Sequence, residues 1–558
     1  MTESDINQDE EYSVHWIEDI VNEVLARDVD EYRISSGKST SGAIHIGFVR
    51  ELVIGDVIKR ELQRLGKKAK TMFVVDDFDP LRSLPPGMNL TEEALGIPYS
   101  DLPDHSGCCD SLGAHWAKEL IDTFDDFGLD PEVFWQSKLY DTPEMLEAVR
   151  TCLRETEAIR EIMVKYVAGG FTPDQRDDYI ESMDSWFPAS VICPVCGRLQ
   201  AGGKGSIVPN RITGYDSETD MVTYQCHACG HSATSPLSEV RVKLAWRIDW
   251  VAKWYVLNVT CEPAGKDHAV KGGSYDTGLE ISKRVFHWQG PVKVPFEWIR
   301  IGGRDMSSSE GIVLTPKEFL KFAPPELYRF IVLRTDPNRA YNIQPDRIPD
   351  LIDEFERLER VFYGLEDATE EQRTLAKLMY PLCVSSPVGD KYVPKLSFRF
   401  SVTTSQMIEL LGESVVMDRC REMLKKQYGL EEIPEEAMLL VPRRLDRARN
   451  WALMFGSERD RIEVPDEVPA EIVAALSDED RMFLTRFNEI LKQGNLDDEE
   501  LQGAVFEKAR EVGLKEKRAF VVLYRVTISR KSGPRLGPFL NLLGNDWVSN
   551  RIESVLRR

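Results

Sequence analysis

The sequence predicts an α/β protein: a doubly wound domain, interrupted by a cysteine-rich insertion and followed by all-α domains. Three observations predict it. A strand, helix, strand order with a special loop after the first strand opens the ordered part of the chain. Two Cys-x-x-Cys knuckles lie in a Gly/Pro/Cys-rich stretch before Val242. Beyond Thr315 the apolar periodicity is mostly helical. At 558 residues the chain is too long for one core and suggests three or four domains. The boundaries read as 1–150 for the first half of the α/β domain, 151–242 for the insertion and 243–320 for the second half. A helical connecting domain (321–460) and a terminal helical domain (461–558) follow.

The elements follow in order. Glu31 to Ser36 reads as a strand, Gly37 to Ile44 as a Gly/Ser loop, and His45 onward as a helix with Val49, Val53, Val57, Leu62 and Leu65 apolar. Lys70 to Val75 reads as a second strand ending in Asp76-Asp77-Phe78-Asp79-Pro80-Leu81-Arg82. The chain is expected to return to the α/β core at the strand-like run Phe296 to Ile301, and helix breaks are expected near Ser385 to Lys391 and Ile462 to Pro469.

Composition limits the function. Apolar residues at 42% and charged residues at 29% describe a soluble globular chain. A formal charge of −23 argues against uniform coating of nucleic acid. No apolar run approaches the ~18 residues of a membrane span. The acidic start, MTESDINQDEEYS, is unlike a basic targeting peptide. The expected location is the cytoplasm, where ten cysteines are thiols or metal ligands rather than disulfides.

Gly37-Lys38-Ser39-Thr40 invites a P-loop reading, which fails because Tyr32 stands where the loop's first Gly must be. Read as Ser36 to Gly47, the stretch is a flexible loop entering a helix whose first turn carries His45 and Gly47. Free amides and an imidazole there can meet phosphates, and the Gly admits a base. A satisfied capping histidine is the alternative. Downstream, Gly302-Gly303-Arg304-Asp305-Met306-Ser307-Ser308-Ser309-Glu310-Gly311 is a Gly/Ser loop suited to closing over phosphates.

Cys193-Pro194-Val195-Cys196 and Cys226-His227-Ala228-Cys229, separated by 29 residues, predict a four-thiolate structural Zn²⁺ site. His227 and His231 read as surface residues, and Cys108 and Cys109 as buried thiols or pocket lining. Splitting the charge shows +7 over the last 52 residues and −30 before them. That leaves one basic end for a selective RNA partner. Trp547, Tyr524 and Phe539 there could stack on bases or pack a core, the commoner use.

The two loops, in order, resemble the HIGH and KMSKS motifs of class I aminoacyl-tRNA synthetases. The resemblance narrows to the class I lysyl-tRNA synthetase family found mainly in archaea. It rests on Asp76 to Arg82, Gly107-Cys108-Cys109, Trp246-Arg247-Ile248-Asp249-Trp250, Glu262 to His268, Gly272 to Thr277 and Ser532-Gly533-Pro534-Arg535. It implies a Rossmann-type class I synthetase catalytic domain with a zinc-bearing insertion, and a C-terminal anticodon-binding domain. The activity implied is a lysine-tRNA ligase that uses ATP and Mg²⁺. His45 and Gly47 would hold ATP, and Arg304, Met306, Ser307 and Ser309 would stabilise pyrophosphate. Gly37 and Ser39 would position the amino acid, with Trp246, His268 and Tyr275 lining its side-chain slot. Asp76, Asp77, Asp79 or Asp249 would meet the ε-ammonium, a choice left open. The partners implied are lysine and lysine tRNA, with no membrane. The oligomeric state is unread, a monomer being the expectation.

One departure stands out: Asp305 and Glu310 occupy positions where the family usually has Lys, so Arg304 is expected to substitute. A catalytically weakened tRNA-binding relative and a class I synthetase for glutamate are the competing readings. The second is disfavoured because a glutamate slot calls for an Arg.

Overall fold

The computed structural model describes residues 15–558 apart from 85–87, 89, 305–313 and 495. It divides into two compact units, the first holding residues up to Phe319 with Pro325–Ile343 and Ala368–Val388, and the second the remainder.

A five-stranded parallel sheet organises the first unit. Its strands are β1 (Tyr32–Ser39), β2 (Ala69–Asp76), β3 (Glu132–Trp135), β4 (Cys261–Gly265) and β5 (Val292–Phe296), in the spatial order β5-β4-β1-β2-β3. All neighbours run parallel. The order reverses direction between β1 and β4, where such sheets open a ligand crevice at their carboxyl ends. β4 contacts β1 in register only at Cys261 opposite Ile34. Pro263 has no N–H with which to continue that ladder.

The first strand runs three residues further than the Gly/Ser composition suggests. Gly37, Lys38 and Ser39 pair with Val74, Val75 and Asp76, so the expected loop begins at Thr40. The expected return of the chain at Phe296–Ile301 also needs correction. β4 and β5 have already completed the sheet, and Ile299–Ile301 pairs instead with Tyr341–Ile343 in a separate two-stranded sheet.

The helix after His45, Ile46–Arg64, is buried along most of its length and fixed by charge. Asp56, fully buried, meets Arg329 at 2.6 Å, Arg60 at 2.8 Å and Lys59 at 2.9 Å. Arg329 also donates to the carbonyls of Leu382 and Phe127. On the same helix the buried Arg50 donates to the carbonyls of Glu297 at 2.5 Å and Pro337 at 3.2 Å. It thereby ties the helix to the segments leading into the two-stranded sheet.

The insertion contributes a three-stranded antiparallel sheet (Arg211–Asp216, Met221–Gln225, Ser232–Pro236) beside the two cysteine knuckles. The second unit is helical, with a core that includes Phe483, Phe487, Leu501, Val522, Leu523 and Phe539. Helix-free stretches occur at the two expected breaks. Phe539 and Tyr524 are core residues, and Trp547 lies half-buried with Arg551 over its ring.

Replacing Arg329 by Met strands a buried carboxylate between its two remaining cations. The expected loss is about 3 kcal/mol of unfolding free energy, read by urea denaturation followed with a probe in the first unit. A change below about 1 kcal/mol would show that Lys59 and Arg60 suffice.

Candidate active site

A cavity of about 830 Å³ opens at the carboxyl ends of β1, β2 and β4. Its lining brings together Gly37, Ser39, His45, Gly47, Trp246 and His268, residues far apart in sequence. Trp246, Trp250 and His268 form an aromatic wall with ring centroids 5.5 to 5.7 Å apart across the His268 contacts. Tyr275 does not belong to the lining. It is fully buried behind Trp250 and Trp254, and its hydroxyl donates toward the carbonyls of Val292 at 3.1 Å and Glu262 at 3.3 Å. Arg304 is exposed, also outside the described lining, with its backbone closing a turn on Ile301. Met306, Ser307 and Ser309 lie outside the described residues, as do Asp305 and Glu310.

Ion pairs build the cavity floor. Lys253 binds Asp76 directly and Asp249 at 3.3 Å, and Lys243 binds Asp79 at 3.0 Å and Asp249 at 3.6 Å. Asp249 also accepts from the Tyr140 hydroxyl at 2.6 Å and the Gln136 amide at 2.7 Å. Asp77 turns away to Ser137, accepting from its N–H at 2.8 Å and its hydroxyl at 2.6 Å. All four aspartates expected from the sequence to meet an ammonium are thus engaged within the protein. Burial pushes Asp76 up to about 6, with Lys253 opposing the rise. The same carboxylates, Asp249 foremost, more than offset the burial of Lys253 and raise its pKa.

Two carboxylates to which the sequence reading gave no role face the cavity. Glu262 is held by the indole N–H of Trp250 at 2.5 Å and of Trp254 at 2.8 Å. Glu51 accepts only the backbone N–H of Gly37, at 3.3 Å, among the described residues. Burial, then the neighbouring Glu262, raises its pKa well above the usual carboxylate range. A desolvated acid with most of its acceptor capacity unused is a receptor for an ammonium.

His45 occupies the helix N-cap position, but its side chain makes no capping bond, and its buried Nδ1 has no hydrogen-bond partner. The capping alternative is therefore excluded. Burial, with Lys38 second, lowers its pKa to about 4, so at neutral pH it is an uncharged hydrogen-bonding group.

The family model for class I (K) tRNA synthetases matches residues 14–382. The chain belongs to this family. A lysine–tRNA ligase of Methanocaldococcus jannaschii is 33% identical, with 96% of this chain and 99% of the relative covered. One of Archaeoglobus fulgidus is 32% identical, with 97% and 100% covered. A solved glutamate tRNA ligase of Elizabethkingia meningosepticum aligns at 11% identity and TM-score 0.42, covering 94% of this chain and 99% of that one. The parallel sheet with its helices is the class I synthetase fold, and the helical second unit is its C-terminal region.

This class I synthetase also carries two clusters of metal donors. Cys193, Cys196, Cys226 and Cys229 converge with their Sγ atoms within 4.8 Å of one another. The pairs Cys193–Cys229 and Cys196–Cys226 are each 3.6 Å apart. Zn–S bonds of about 2.3 Å in a tetrahedron require S···S edges of about 3.8 Å, so the thiols fit Zn²⁺. Both knuckles fold alike. Gly197 N–H bonds the Cys193 carbonyl and Gly230 N–H the Cys226 carbonyl, each Gly at positive φ.

The second cluster corrects the expectation for Cys108 and Cys109, which are exposed and half-buried and outside the cavity lining. They gather with Asp104 and His115. Cys108 Sγ lies 3.4 Å from Cys109 Sγ and 3.3 Å from His115 Nδ1, and Asp104 Oδ1 lies 3.2 Å from that nitrogen. Backbone N–H groups of Ser106, Cys108 and Cys109 hold the Asp104 carboxylate in place. The thiol, imidazole and carboxylate donors suit a transition metal.

Metal analysis should therefore return about two Zn²⁺ per chain, with Cys226→Ser and His115→Ala each removing about one. Finding one ion in both the wild type and His115→Ala would leave the four-cysteine site alone.

The depressed pKa of His45 gives stability a pH dependence. Between about 6.5 and about 4 the unfolded chain binds a proton that the folded chain refuses, so stability falls as pH drops through that window. The contribution is about 3 kcal/mol, fully present at pH 7. Unfolding free energies at pH 7 and 4.5 should differ less in His45→Gln than in the wild type, and equal differences would place the His45 pKa near its ordinary value.

Proposed function

We propose that this class I synthetase is a lysine-tRNA ligase. It joins lysine to ATP as lysyl-adenylate, releasing pyrophosphate, and passes the lysyl group to the 3′-terminal ribose of lysine tRNA. The observation that carries the reading is the slot itself: an aromatic wall of Trp246, Trp250 and His268, with the underused carboxylate of Glu51 facing the same cavity. An alkyl chain gains from burial against the rings, and a cation gains from both the rings and the acid. A glutamate side chain would call for an arginine in the slot. Arg82 is the only arginine in the described lining, and it is exposed. The full-length relatives named lysine–tRNA ligases support the same substrate.

In this reading Gly37 and Ser39 hold the amino acid's backbone groups, Glu51 takes the ε-ammonium, and neutral His45 donates to phosphate beside Gly47. Mg²⁺ accompanies the triphosphate. Activation needs no enzyme nucleophile, because the lysine carboxylate attacks the α-phosphorus directly and catalysis consists of positioning and charge stabilisation. Arg304 closes on the leaving group together with Met306, Ser307 and Ser309. The zinc held by the four cysteines is structural, and the ribbon around it meets the tRNA acceptor end.

Residues 461–558 hold the anticodon. Among the described residues there, Lys515, Lys517, Arg525, Lys531 and Arg535 have no carboxylate within 4.0 Å, and unlike Arg461, Arg481, Arg530 and Arg551 they are not donating to backbone carbonyls either. They are the ones left for phosphate contact.

Amino-acid-dependent exchange of pyrophosphate into ATP tests the reading. Lysine is expected to support exchange and glutamate is not, each assayed with and without lysine tRNA. Glu51→Gln should raise the KM for lysine by about 30-fold or more. Glutamate-specific exchange would overturn the substrate, and tight tRNA binding with no exchange at all would mark a binding protein.

A further inference from the structure

Lys38 is a cavity residue that the reading above leaves unused. It lies next to the end of β1, in the cavity lining, with Nζ 5.7 Å from the centroid of the Phe48 ring on the His45 helix. Among the described residues no carboxylate comes within 4.0 Å of it. The other lysines near the cavity differ: Lys253, in the lining, is bound to Asp76 and Asp249. Lys243, beneath the floor, is bound to Asp79 and Asp249. The nearest acids, Glu51 and Asp76, attract Lys38 only through space, and burial lowers its pKa. A desolvated ammonium without a partner is costly, and a site keeps one where a bound anion completes it.

Two further facts identify the anion. Lys38 stands second to burial among the causes that lower the pKa of His45, and it sits over the Phe48 ring of the helix that His45 caps, which puts its charge within reach of that helix start. His45 is uncharged there and can supply a hydrogen bond but no positive charge. The signature loop carries Asp305 and Glu310 in its sequence, so it brings little net cationic help.

We propose that Lys38 is a catalytic residue for the activation step, its ammonium contacting the phosphate oxygens of ATP and taking up the charge of the departing pyrophosphate. A lysine carboxylate oxygen forms the new bond to the α-phosphorus. The bond from that phosphorus to the bridging oxygen of the β-phosphate breaks, and its electron pair leaves with pyrophosphate. The ammonium keeps its proton throughout and acts by charge alone. The position follows from the strand register, since β1 continues beside Val75 and Asp76 and delivers residue 38 to the crevice. This role rests on the site being one that activates an amino acid with ATP.

The test compares wild type, Lys38→Met and Lys38→Arg in three measurements. In lysine-dependent pyrophosphate exchange, Lys38→Met should lower kcat by about 10²- to 10³-fold with the KM for lysine little changed, and Lys38→Arg should recover part of the loss. In calorimetric titration with Mg²⁺-pyrophosphate alone, Lys38→Met should bind at least about 10-fold more weakly. In thermal unfolding, Lys38→Met should match or exceed the wild-type Tm, because removing an unpaired desolvated charge does not destabilise. A fall in Tm together with unchanged pyrophosphate affinity would make Lys38 a structural residue and overturn the proposal. So would a Lys38→Met exchange rate within about threefold of wild type. A wild-type protein that fails to exchange with lysine yet binds pyrophosphate through Lys38 would overturn the lysine reading and leave the phosphate role standing.

Discussion

The ammonium of Lys253, set between Asp76 and Asp249, is the contact on which the site depends. Asp76 ends β2, and Asp249 and Lys253 lie one turn apart on the helix Trp246–Val256. Without the cation, two desolvated carboxylates would oppose each other, and one would have to take up a proton. With it, the helix is seated over the carboxyl end of the sheet. The seating has consequences beyond charge. Trp250 and Trp254, on the same helix, reach Glu262 on β4 with their indole N–H groups and fix its orientation. A pair on one side of the crevice therefore shapes the wall and the far strand together.

Around that contact nearly every buried charge is matched. Asp56 has three cations, Lys243 has two aspartates, and Arg50 spends its guanidinium on backbone carbonyls. Three departures from matching line one cavity. Glu51 has a single donor, Lys38 has no close carboxylate among the described residues, and His45 Nδ1 has no partner. Three unsatisfied groups of complementary character around one cavity are not explained by folding, because each of them costs stability when it is empty. They are explained by a ligand that is cationic at one end and anionic at the other. An amino acid with an ammonium tail, meeting a triphosphate, has that polarity.

How much of this was legible depends on the range of the interactions involved. His45 and Gly47 could be found because a loop-to-helix junction is a local event, and the four-cysteine site because each knuckle holds two donors in four residues. Local composition misled at Gly37 to Ser39, where Gly and Ser suggest a loop but Val74 to Asp76 extend the ladder. Glu51 escaped because an acid in a helix rich in charge looks like a solvated residue until the helix is packed against β1. The internal ion pairs of the aspartates were hidden for a related reason. Their partners Lys243 and Lys253 lie more than 160 residues downstream of Asp76 and Asp79, and no spacing rule joins them. Tyr275 was misplaced because an aromatic residue near a slot fits the wall and the layer behind it equally well. Cys108 and Cys109 escaped notice as candidate metal donors because adjacent cysteines follow no familiar zinc spacing, and Asp104 and His115 join them only through the fold of the loop.

The charge of −23 acquires a different meaning once the pairs are known. In the last 52 residues the excess of +7 overstates what RNA can use. Arg510, Arg518 and Arg557 are bound to Glu516, Asp480 and Glu553, and Arg530 and Arg551 are spent on backbone carbonyls. What remains open in Lys515, Lys517, Arg525, Lys531 and Arg535 is a small set of cations, three of them within eleven residues (525–535). On a chain acidic elsewhere, long-range attraction to any polyanion is weak, so affinity must come from close contacts that only a matching RNA surface can satisfy together. The same logic governs both ends of the protein. Charges are neutralised wherever the fold can do so, and those left over are the ones that a substrate must complete.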